Sequence, residues 1–481
     1  MNIRNMSIVE LHEALKNKKI TVTEIAQQVI EFSKKDLDSN FMITLPEKEI
    51  MKQAEELNKN FDDNNFLYGI PYMAKDNFAT KGIRTTASTK ILDNFVPTYD
   101  ATLIEKLNKN KTLMSGKVAL DELGLGGTGL HSAYGELVNP RDSKRLLGGS
   151  SSGSVYAVTK GYVPFATGTD TGDSIRKPAS FNGIVGFKPT YGALSRYGIF
   201  PYAPSLDHAG FFTRNVDDMA IVFEKTVGFD PKDFTSIKIN DEIFYAKIND
   251  LSATTTFAYI KEVQENLPEP LKTHYESFYN KLSAQGYQVS EINFRRDLLD
   301  VLAPVYMMIS FPEAVSTISN LDGINFGLRE PGDDFTEIMT KTRSKYLGDV
   351  VKRRFVIGSL NLKKENQELY MNKAKKVRRL IVEEISKIYK NFDVLIIPSA
   401  IGIAPLIEVA TEFEDDSKQF LEDILTLANF SGMPSITIPF VEEQSMPIGI
   451  NLNTAPGQDL KVLQAAKVCE NIIGIKNKVV N

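Results

Sequence analysis

The feature of this sequence that most constrains its fold is the stretch Leu146–Arg176, which contains two turns rich in glycine and serine. The first turn, GGSSSG at residues 148–153, leads into a helix-like run, and an apolar strand-like run precedes the second turn, TDTGDS at residues 169–174. This order would bring hydroxyl and backbone N–H groups into one small volume, as in sites for chemistry on a carbonyl group. Ser174, which ends the second turn, is a candidate nucleophile.

Glycine and serine runs also form flexible linkers and loops that bind phosphate, so composition alone leaves three interpretations of these turns open. The wider pattern favours the catalytic one. The turns belong to the segments GGSSSGS and GTDTGDSIRKPA, and GIVGFKPT follows at residues 183–190. Upstream, Lys75 lies in the segment PYMAKDN, 75 residues before Ser150, and Ser174 follows Ser150 by 24 residues.

In these motifs and intervals the chain resembles the amidase signature family, whose central pattern is GTDxGGSIRxPA. The resemblance implies an α/β fold in which helices flank a central mixed β-sheet on both faces. It also implies a Ser-Ser-Lys triad: Ser174 forms the acyl-enzyme, and Ser150, preceded by a cis peptide bond, connects it to Lys75.

Elementary chemistry agrees with that triad. Cleaving an amide requires a nucleophile, a base, an oxyanion hole and an acid for the leaving nitrogen. None of the four histidines lies near Ser174 in the sequence, although a Ser-His-Asp set stays open because its members are usually distant along the chain. Burial would lower the pKa of Lys75 from its ordinary value of about 10.4 and so allow it to act as a neutral base.

The resemblance further implies an oxyanion hole formed by the backbone N–H groups of Thr171, Gly172 and Asp173, together with that of the nucleophile. Such donors each stabilise a transition state by about 3 kcal/mol. His131 and His208 are then expected to be structural or to line the pocket.

The segment GLGGTG at residues 124–129 has the spacing of a dinucleotide-binding loop. It lacks a clear strand before it and a clear helix after it, which argues against that function. In the resembled family this position is a loop that lines the substrate pocket.

Composition excludes several other classes of protein. The chain of 481 residues has a net charge of −5 and therefore lacks the basic excess of whole-domain nucleic-acid binding. A single cysteine, Cys469, excludes internal disulfides and cysteine-based metal clusters, and its apolar helical setting predicts a small core residue. No apolar run approaches the roughly 18 to 20 residues of a membrane helix. We therefore predict a soluble cytoplasmic protein.

The N-terminal part is predicted to be helical. Capping-box spacing at residues 7–10 and 21–24 predicts two helix starts, and a third helix is expected over residues 47–60. We expect residues 1–65 to form a helical segment that packs on the core.

From Gly69 onwards short apolar runs alternate with helical patterns, which is typical of a layered α/β fold. Residues 66–481 are therefore expected to form the amidase signature domain, with its core at 69–230 and an elaboration at 231–345. Beyond the core, strands are predicted at residues 256–260, 287–294, 394–398, 435–439 and 447–453, and helices at 271–284 and 460–473.

The most basic region lies at residues 351–379. Its helix charges are expected to form a solvated face opposite Ala374, Val377 and Ile381. Contact of this region with RNA or with a protein partner stays an open alternative.

Longer segments resemble one branch of the family, the A subunits of glutamyl-tRNA(Gln) amidotransferases. They cover nearly the whole chain and include SIVELHEALKNKKITVTE, KPTYGALSRYGIFPYAPSLDHAGFFTRNVDD, VKRRFVIG and FLEDILTLANFSGMPSITIPF. The branch implies a glutaminase whose substrate-binding residues are Tyr306, Arg354 and Asp423, with Arg353 as the rival of Arg354. An arginine fork suits the carboxylate of a free amino acid, and an aspartate suits its ammonium group.

In that branch, ammonia from glutamine passes to a B subunit, which together with a C subunit completes a heterotrimer. The complex, a C–N ligase of translation, converts Glu-tRNA(Gln) to Gln-tRNA(Gln) with ATP and Mg²⁺ bound by the partner subunit. This sequence has no P-loop motif, which agrees with ATP chemistry elsewhere. We expect no cofactor and no metal in this chain.

Three residues depart from the family pattern: Leu147 replaces proline, and Ser152 and Asp173 replace glycine. Asp173 matters most, because a carboxylate beside an oxyanion hole opposes the developing negative charge unless it points away or is paired. A backbone conformation restricted to glycine would also be strained there. Two alternatives follow: a catalytically weakened scaffold protein of the complex, and a free-standing hydrolase of another small amide.

Overall fold

The computed structural model describes residues 1–240, 243–409 and 419–480. The helices in this part of the chain are α1 Ile8–Lys16, α2 Val22–Lys35, α3 Glu47–Leu57, α4 Thr102–Lys109, α5 Ser152–Thr159, α6 Arg176–Asn182, α7 Val216–Thr226, α8 Lys261–Gln264, α9 Glu269–Ala284, α10 Arg296–Leu299, α11 Leu302–Ile318, α12 Phe335–Tyr346, α13 Asp349–Leu362, α14 Lys364–Gln367, α15 Met371–Ile388, α16 Gln419–Asp423, α17 Thr426–Ser431 and α18 Asp459–Ile473. The strands are β1 Met42–Thr44, β2 Pro71–Lys75, β3 Leu113–Val118, β4 Phe165–Asp170, β5 Val185–Lys188, β6 His208–Thr213, β7 Thr256–Ile260, β8 Gln288–Ile292, β9 Val394–Pro398, β10 Ser435–Glu443 and β11 Met446–Thr454.

All eleven strands join one mixed sheet in the order β1-β3-β2-β4-β6-β5-β10-β11-β9-β7-β8. Strand β2 runs parallel to β3 and β4, and β7 runs parallel to β8 and β9. The pairs from β4 through β6, β5, β10 and β11 to β9 are antiparallel, as is the β1–β3 pair.

Helices cover both faces of this sheet, as strand β9 demonstrates. Val394 and Ile396 belong to one hydrophobic cluster, which includes residues of α1, α2, α5, α7, α9 and α18. Leu395 and Ile397 belong to a second cluster, which includes residues of α10, α11, α13, α15, α16 and α17. Because successive side chains of a strand point to opposite faces, the two clusters lie on opposite sides of the sheet. The α/β fold with helices on both faces is thus confirmed.

The N-terminal segment begins with the two expected capping boxes. The Ser7 and Thr21 hydroxyls accept hydrogen bonds from the backbone N–H groups three residues later, and Glu10 and Glu24 complete the boxes. The segment also contains a strand that the sequence did not predict. This strand, β1, pairs with β3 at the edge of the sheet, so the N-terminal residues extend the sheet as well as cover it.

Residues 231–345 contribute to the same sheet. Strands β7 and β8 extend it beyond β9, and β7 has the bounds expected from its apolar run. The long helix α11 was not predicted in this segment. The prediction that no apolar run approaches the length of a membrane helix was wrong here. By length and composition alone, the helical stretch at residues 296–318 is long and apolar enough to cross a membrane. Half of its most apolar window is buried inside the fold, and Leu302 and Ile309 lie in the second hydrophobic cluster.

Helix α15 carries the basic face predicted between residues 351 and 379. Ala374 and Ile381 are buried on the opposite side of the helix, as expected, and most of its lysines are exposed. Arg378 differs from them. Its guanidinium donates hydrogen bonds to the backbone oxygens of Phe430 (3.0 Å) and Ser205 (3.2 Å) and so connects α15 to neighbouring parts of the fold.

Candidate active site

The parallel pairing of β2 with β4 brings the candidate residues together. Lys75 is the last residue of β2, and the turn that ends at Ser174 follows directly after β4. Since parallel strands end at the same edge of a sheet, side chains at both ends share one region. Helix α5, which begins directly after Ser151, packs on the same strands.

Lys75 is fully buried and surrounded by hydroxyl groups. Its Nζ lies 2.9 Å from Ser150 Oγ, 2.9 Å from Ser151 Oγ and 2.7 Å from Thr169 Oγ1. An ammonium group donates three hydrogen bonds, whereas a neutral amine donates two and accepts one, and a hydroxyl can take either part. Both protonation states of Lys75 are therefore satisfied by the same three neighbours.

Burial lowers the pKa of Lys75 from 10.5 to about 7. The negative charges of Asp121, Asp170 and Asp207 act in the opposite direction and prevent a larger decrease. A substantial fraction of Lys75 is consequently neutral near pH 7, as a general base requires.

Ser150 is also buried, and the peptide bond between Gly149 and Ser150 is cis. Gly149 packs so tightly on Asp121 that a Cβ atom would overlap the Asp121 carboxylate, and the same is true of Gly126. The carboxylate of Asp121 accepts hydrogen bonds from the backbone N–H groups of residues 128, 129 and 131. These glycines thus allow close approach to a buried carboxylate.

This packing explains the GLGGTG segment. Residues 122–124 form a short 3-10 helix, and no helix follows the segment within the described residues 125–151. The strand-turn-helix setting of a dinucleotide-binding loop is therefore missing there. Gly124 instead lines a cavity of about 370 Å³ next to Thr169 and Thr171.

The turn that carries Ser174 is fixed from behind by a buried ion pair. The Arg176 guanidinium donates to both carboxylate oxygens of Asp170, at 3.0 and 2.8 Å, and also to the backbone oxygen of Gly172 at 2.7 Å. Asn429 donates a further hydrogen bond of 2.9 Å to Asp170. Burial alone would raise the pKa of Asp170, but Arg176 and Asn429 hold it well below its ordinary value.

The backbone N–H groups of residues 171–174 donate to no acceptor in the part of the chain that the structure describes. Gly172 faces the ring of Tyr306, and a Cβ atom at Gly172 would lie 3.2 Å from that ring. Thr171 is held by a 2.6 Å hydrogen bond from its hydroxyl to Asp207. The turn thus presents unpaired donors in a rigid frame, which is the arrangement of an oxyanion hole.

Ser174 is buried, with 5% of its surface exposed. Among the described residues, no hydrogen bond joins its hydroxyl to that of Ser150. The structure therefore brings Lys75 into direct contact with Ser150 and with Thr169. Thr169 is the first residue of the turn that ends at Ser174.

The carboxylate of Asp173 forms an ion pair with Lys177 at 3.3 Å. Lys177 in turn lies 3.0 Å from Glu422 Oε2 and donates a 2.8 Å hydrogen bond to the backbone oxygen of Glu422. Asp173 does not have a positive φ, so the expected strain of a backbone conformation restricted to glycine is not found. Desolvation raises the pKa of Asp173, and Lys177 opposes this shift.

In the part of the chain that the structure describes, Lys75 forms no hydrogen bond with either of the other two departures. Ser152 is the first residue of α5 and is buried. Leu147 is buried as well, and its backbone oxygen accepts a 2.8 Å hydrogen bond from Asn182.

The structure separates the two rival arginines. Arg354 Nη1 donates a 3.0 Å hydrogen bond to the hydroxyl of Tyr202, which lines the 370 Å³ cavity, and its guanidinium lies 5.2 Å from the Phe311 ring centroid. Arg353, one position earlier on α13, is exposed. Arg354 therefore points towards Tyr202 and Tyr306. Burial and Tyr202 raise the pKa of Tyr306 well above its ordinary value.

Asp423 is the last residue of α16. Burial raises its pKa to about 6, with Lys177 acting in the opposite direction and Asp173 adding to the increase. It lines a second, smaller pocket with Phe420 and Leu299, apart from the 370 Å³ cavity.

His208 lines the 370 Å³ cavity and is buried. Burial and the charge of Lys188 lower its pKa well below the ordinary value, so it is neutral at pH 7. His131 is partly exposed and contributes its backbone N–H group to Asp121.

Several side chains around the site were not identified from the sequence. Ser151 and Thr169 contact Lys75 as closely as Ser150 does, and Arg176 and Asn429 fix the turn after β4. Ser151 and Thr169 could have been identified from the sequence, because both lie within the two turns rich in glycine and serine. No local signal could indicate Asn429, because it lies more than 250 residues from the turn that it contacts.

Comparison with known proteins agrees with this architecture. The family model described as Amidase matches residues 22–463. The chain is 39% identical to the A subunit of glutamyl-tRNA(Gln) amidotransferase from Mycoplasma pneumoniae, over 98% of this chain and 99% of that protein. It is 35% identical to the protein of the same name from Macrococcus caseolyticus, over 99% of both chains.

Solved structures give the same result. The crystal structure of the A subunit of glutamyl-tRNA(Gln) amidotransferase from Thermotoga maritima is 30% identical and superimposes with a TM-score of 0.80 over 100% of this chain and 99% of that one. The native peptide amidase from Stenotrophomonas maltophilia shares the fold, with a TM-score of 0.84 at 22% identity over 98% of this chain and 97% of that one. With the family model matched over most of its length, this chain belongs to the amidase signature family.

Proposed function

We propose that this protein is the glutamine-hydrolysing component, the A subunit, of a tRNA-dependent amidotransferase, and that Ser174, Ser150 and Lys75 form its catalytic triad. The observation that carries the proposal is the fully buried contact of 2.9 Å between Lys75 Nζ and Ser150 Oγ, beside the turn that ends at Ser174. The names of relatives that match nearly the whole chain support the choice of an amidotransferase component.

In the proposed reaction, neutral Lys75 takes the proton of Ser150 while Ser150 takes that of Ser174. Ser174 Oγ then attacks the side-chain carbonyl carbon of glutamine, and the developing oxyanion accepts hydrogen bonds from the N–H groups of Thr171, Gly172 and Asp173. The return of the proton through Ser150 to the amide nitrogen releases ammonia and leaves a glutamyl ester. Water hydrolyses this ester to glutamate.

The relay requires a hydrogen bond between Ser174 and Ser150 in the substrate complex. Catalytic hydrogen bonds often tighten only in the substrate complex, so we expect this one to form when glutamine is bound.

Substrate recognition would use groups on three elements. Arg354 suits the α-carboxylate because a guanidinium forms paired hydrogen bonds with a carboxylate. Asp423 suits the α-ammonium group, and the Tyr306 hydroxyl lies near the turn that holds the reacting carbonyl. Arg354 is half-buried and donates a hydrogen bond to Tyr202, which lines the cavity, and this favours it over exposed Arg353 for this role.

Ammonia would pass to a B subunit that activates Glu-tRNA(Gln) with ATP and Mg²⁺, with a C subunit completing the heterotrimer. This chain would need no cofactor or metal of its own, since lysine and serine side chains supply all the proton transfers described above. We expect the complex to act in the cytoplasm.

The test is glutamate release from glutamine by the chain with its B and C subunits. We expect activity with wild type and its loss with Ser174→Ala. Ser386→Ala is a matched control, because within the described residues that exposed hydroxyl bonds only to its own helix, at 2.8 Å from Val382 O. No glutamate from wild type, with activity appearing only in Asp173→Gly, would instead identify a scaffold protein. Activity without partners on other small amides would identify a free-standing hydrolase.

A further inference from the structure

We propose that Lys177 is a positioning residue that pairs with Asp173 and holds its carboxylate away from the unpaired N–H groups of residues 171–174. The inference rests on the proposed function, because it gives Lys177 a part in the reactivity of Ser174. It explains how a chain with a carboxylate next to its candidate nucleophile can still stabilise an oxyanion.

The geometry fixes Lys177 from two directions. Its backbone N–H donates a 3.0 Å hydrogen bond to Asp173 O, so the first turn of α6 sets the spacing between the two residues. Its side chain extends to Asp173 and to α16, where it contacts the carboxylate and the backbone oxygen of Glu422 at 3.0 and 2.8 Å. Only 15% of the Lys177 side chain is exposed.

The contact with Glu422 is what makes Lys177 more than a surface partner. A lysine that pairs only with a residue one helical turn away keeps many rotamers, and such an exposed ion pair contributes little to stability. Here the second carboxylate, 245 residues away in the sequence, restricts the ammonium group to one place. The ammonium group therefore draws the Asp173 carboxylate towards α16.

An unpaired Asp173 carboxylate would oppose the oxyanion in two ways. It would accept hydrogen bonds from the N–H groups that are left for the oxyanion, and it would repel the negative charge that develops there. Water screens such repulsion only in part here, since 26% of the Asp173 side chain is exposed. Pairing with Lys177 offsets part of the charge of Asp173, since the same ammonium group also pairs with Glu422. The charged and titratable groups that face Asp173 are Lys177, Asp170, Arg176, Tyr306, Glu422 and Asp423.

The sequence is consistent with a compensating pair. The pattern GTDxGGSIRxPA keeps glycine at the position of Asp173 and leaves the position of Lys177 open. In this chain the two positions hold one negative and one positive residue, and the hydrogen bond from Lys177 N–H to Asp173 O gives them the four-residue spacing of an ion pair on a helix, although Asp173 precedes α6.

The experiment measures the rate at which a fluorophosphonate ester labels Ser174. In that reaction an O–P bond forms, fluoride leaves and the serine proton passes to the base, so the rate depends on Ser174 and its oxyanion donors and not on the natural substrate. The variants are Lys177→Gln, Lys177→Arg, Asp173→Gly and the double variant Asp173→Gly/Lys177→Gln. The matched control is Lys341→Gln, which breaks the 2.7 Å helix ion pair of Lys341 with Glu337 at four-residue spacing.

We expect Lys177→Gln to be labelled at least about tenfold more slowly than wild type, because Asp173 then stays charged and unpaired. Lys177→Arg keeps the charge and should stay within about threefold of wild type. Removal of both groups should restore labelling, whereas a merely structural role would give additive losses. Asp173→Gly should be labelled at least as fast as wild type, and Lys341→Gln at the wild-type rate.

Wild-type labelling of Lys177→Gln, or no recovery in the double variant, would overturn the inference. If Lys177→Gln does not fold, Asp173→Gly still tests the inference. A loss of labelling in that variant would contradict the claim that the Asp173 carboxylate opposes the oxyanion. If the expected pattern holds but the complex does not hydrolyse glutamine, only the proposed substrate is wrong. If wild type is not labelled at all, the triad and the inference both fail.

Discussion

The rate of glutamine hydrolysis should decrease below pH 7 with the titration of Lys75. Only the neutral amine can take a proton from Ser150, and burial places the pKa of Lys75 at about 7. The turnover number of the complex should therefore approach a tenfold decrease for each unit of pH below that value. Above pH 8 the turnover number should be constant.

The size of the effect follows from the burial of Lys75. Lowering its pKa from 10.5 to about 7 corresponds to about 5 kcal/mol of lost preference for the charged form. At pH 7 roughly half of the molecules would then have a neutral base, whereas a lysine with its ordinary pKa would be neutral in only about 0.03%. Burial thus increases the active fraction by about a thousandfold.

The assay is the release of glutamate between pH 5 and 9 with saturating glutamine. Saturation removes the contribution of Asp423, whose titration would affect substrate binding rather than turnover. Lys75→Met should abolish turnover and, with it, the acid limb. A turnover number that is constant from pH 6 to 8, or an acid limb centred above pH 9, would refute the assignment of Lys75 as the base.

Three further substitutions test other parts of the site. Arg176→Met should lower the free energy of unfolding by about 3 to 5 kcal/mol, because it leaves the Asp170 carboxylate buried without its partner. Urea denaturation measures this loss, and an unchanged midpoint would contradict the prediction. Arg354→Gln should raise the KM for glutamine at least about tenfold while Arg353→Gln leaves it within about twofold, and equal effects would refute the choice between them. Asp423→Asn should likewise raise KM with little change in the turnover number, and a loss confined to turnover would show that Asp423 does not bind the ammonium group.

Strong local patterns predicted much of the fold. The apolar run of β9 was predicted with its observed bounds, and the capping boxes located the starts of α1 and α2. These elements are specified by neighbouring residues, so their signal is present in a short window of sequence.

Two other elements, strand β6 and helix α11, gave no such signal. All six residues of β6 are buried between β4 and β5, so the strand has no alternation of polar and apolar residues. Helix α11 is apolar at most positions and contains Pro312, which conceals the 3.6-residue period of an exposed helix. Strand β6 acquires its structure from the strands on both sides of it, and α11 from packing of the buried half of its apolar window, which a single-sequence pattern does not display.

The candidate site divides in the same way. Its motif residues, Lys75 and Ser150, could be identified because their spacing matches a family pattern, and they lie within 2.9 Å of each other. The consequence of Asp173 could not be inferred, since it depends on where the side chain of Lys177 points and on a carboxylate from α16. A departure at one position signals lost activity only if nothing compensates it. Here the compensating charge follows four residues later, and a glutamate 245 residues further along the chain holds it in place.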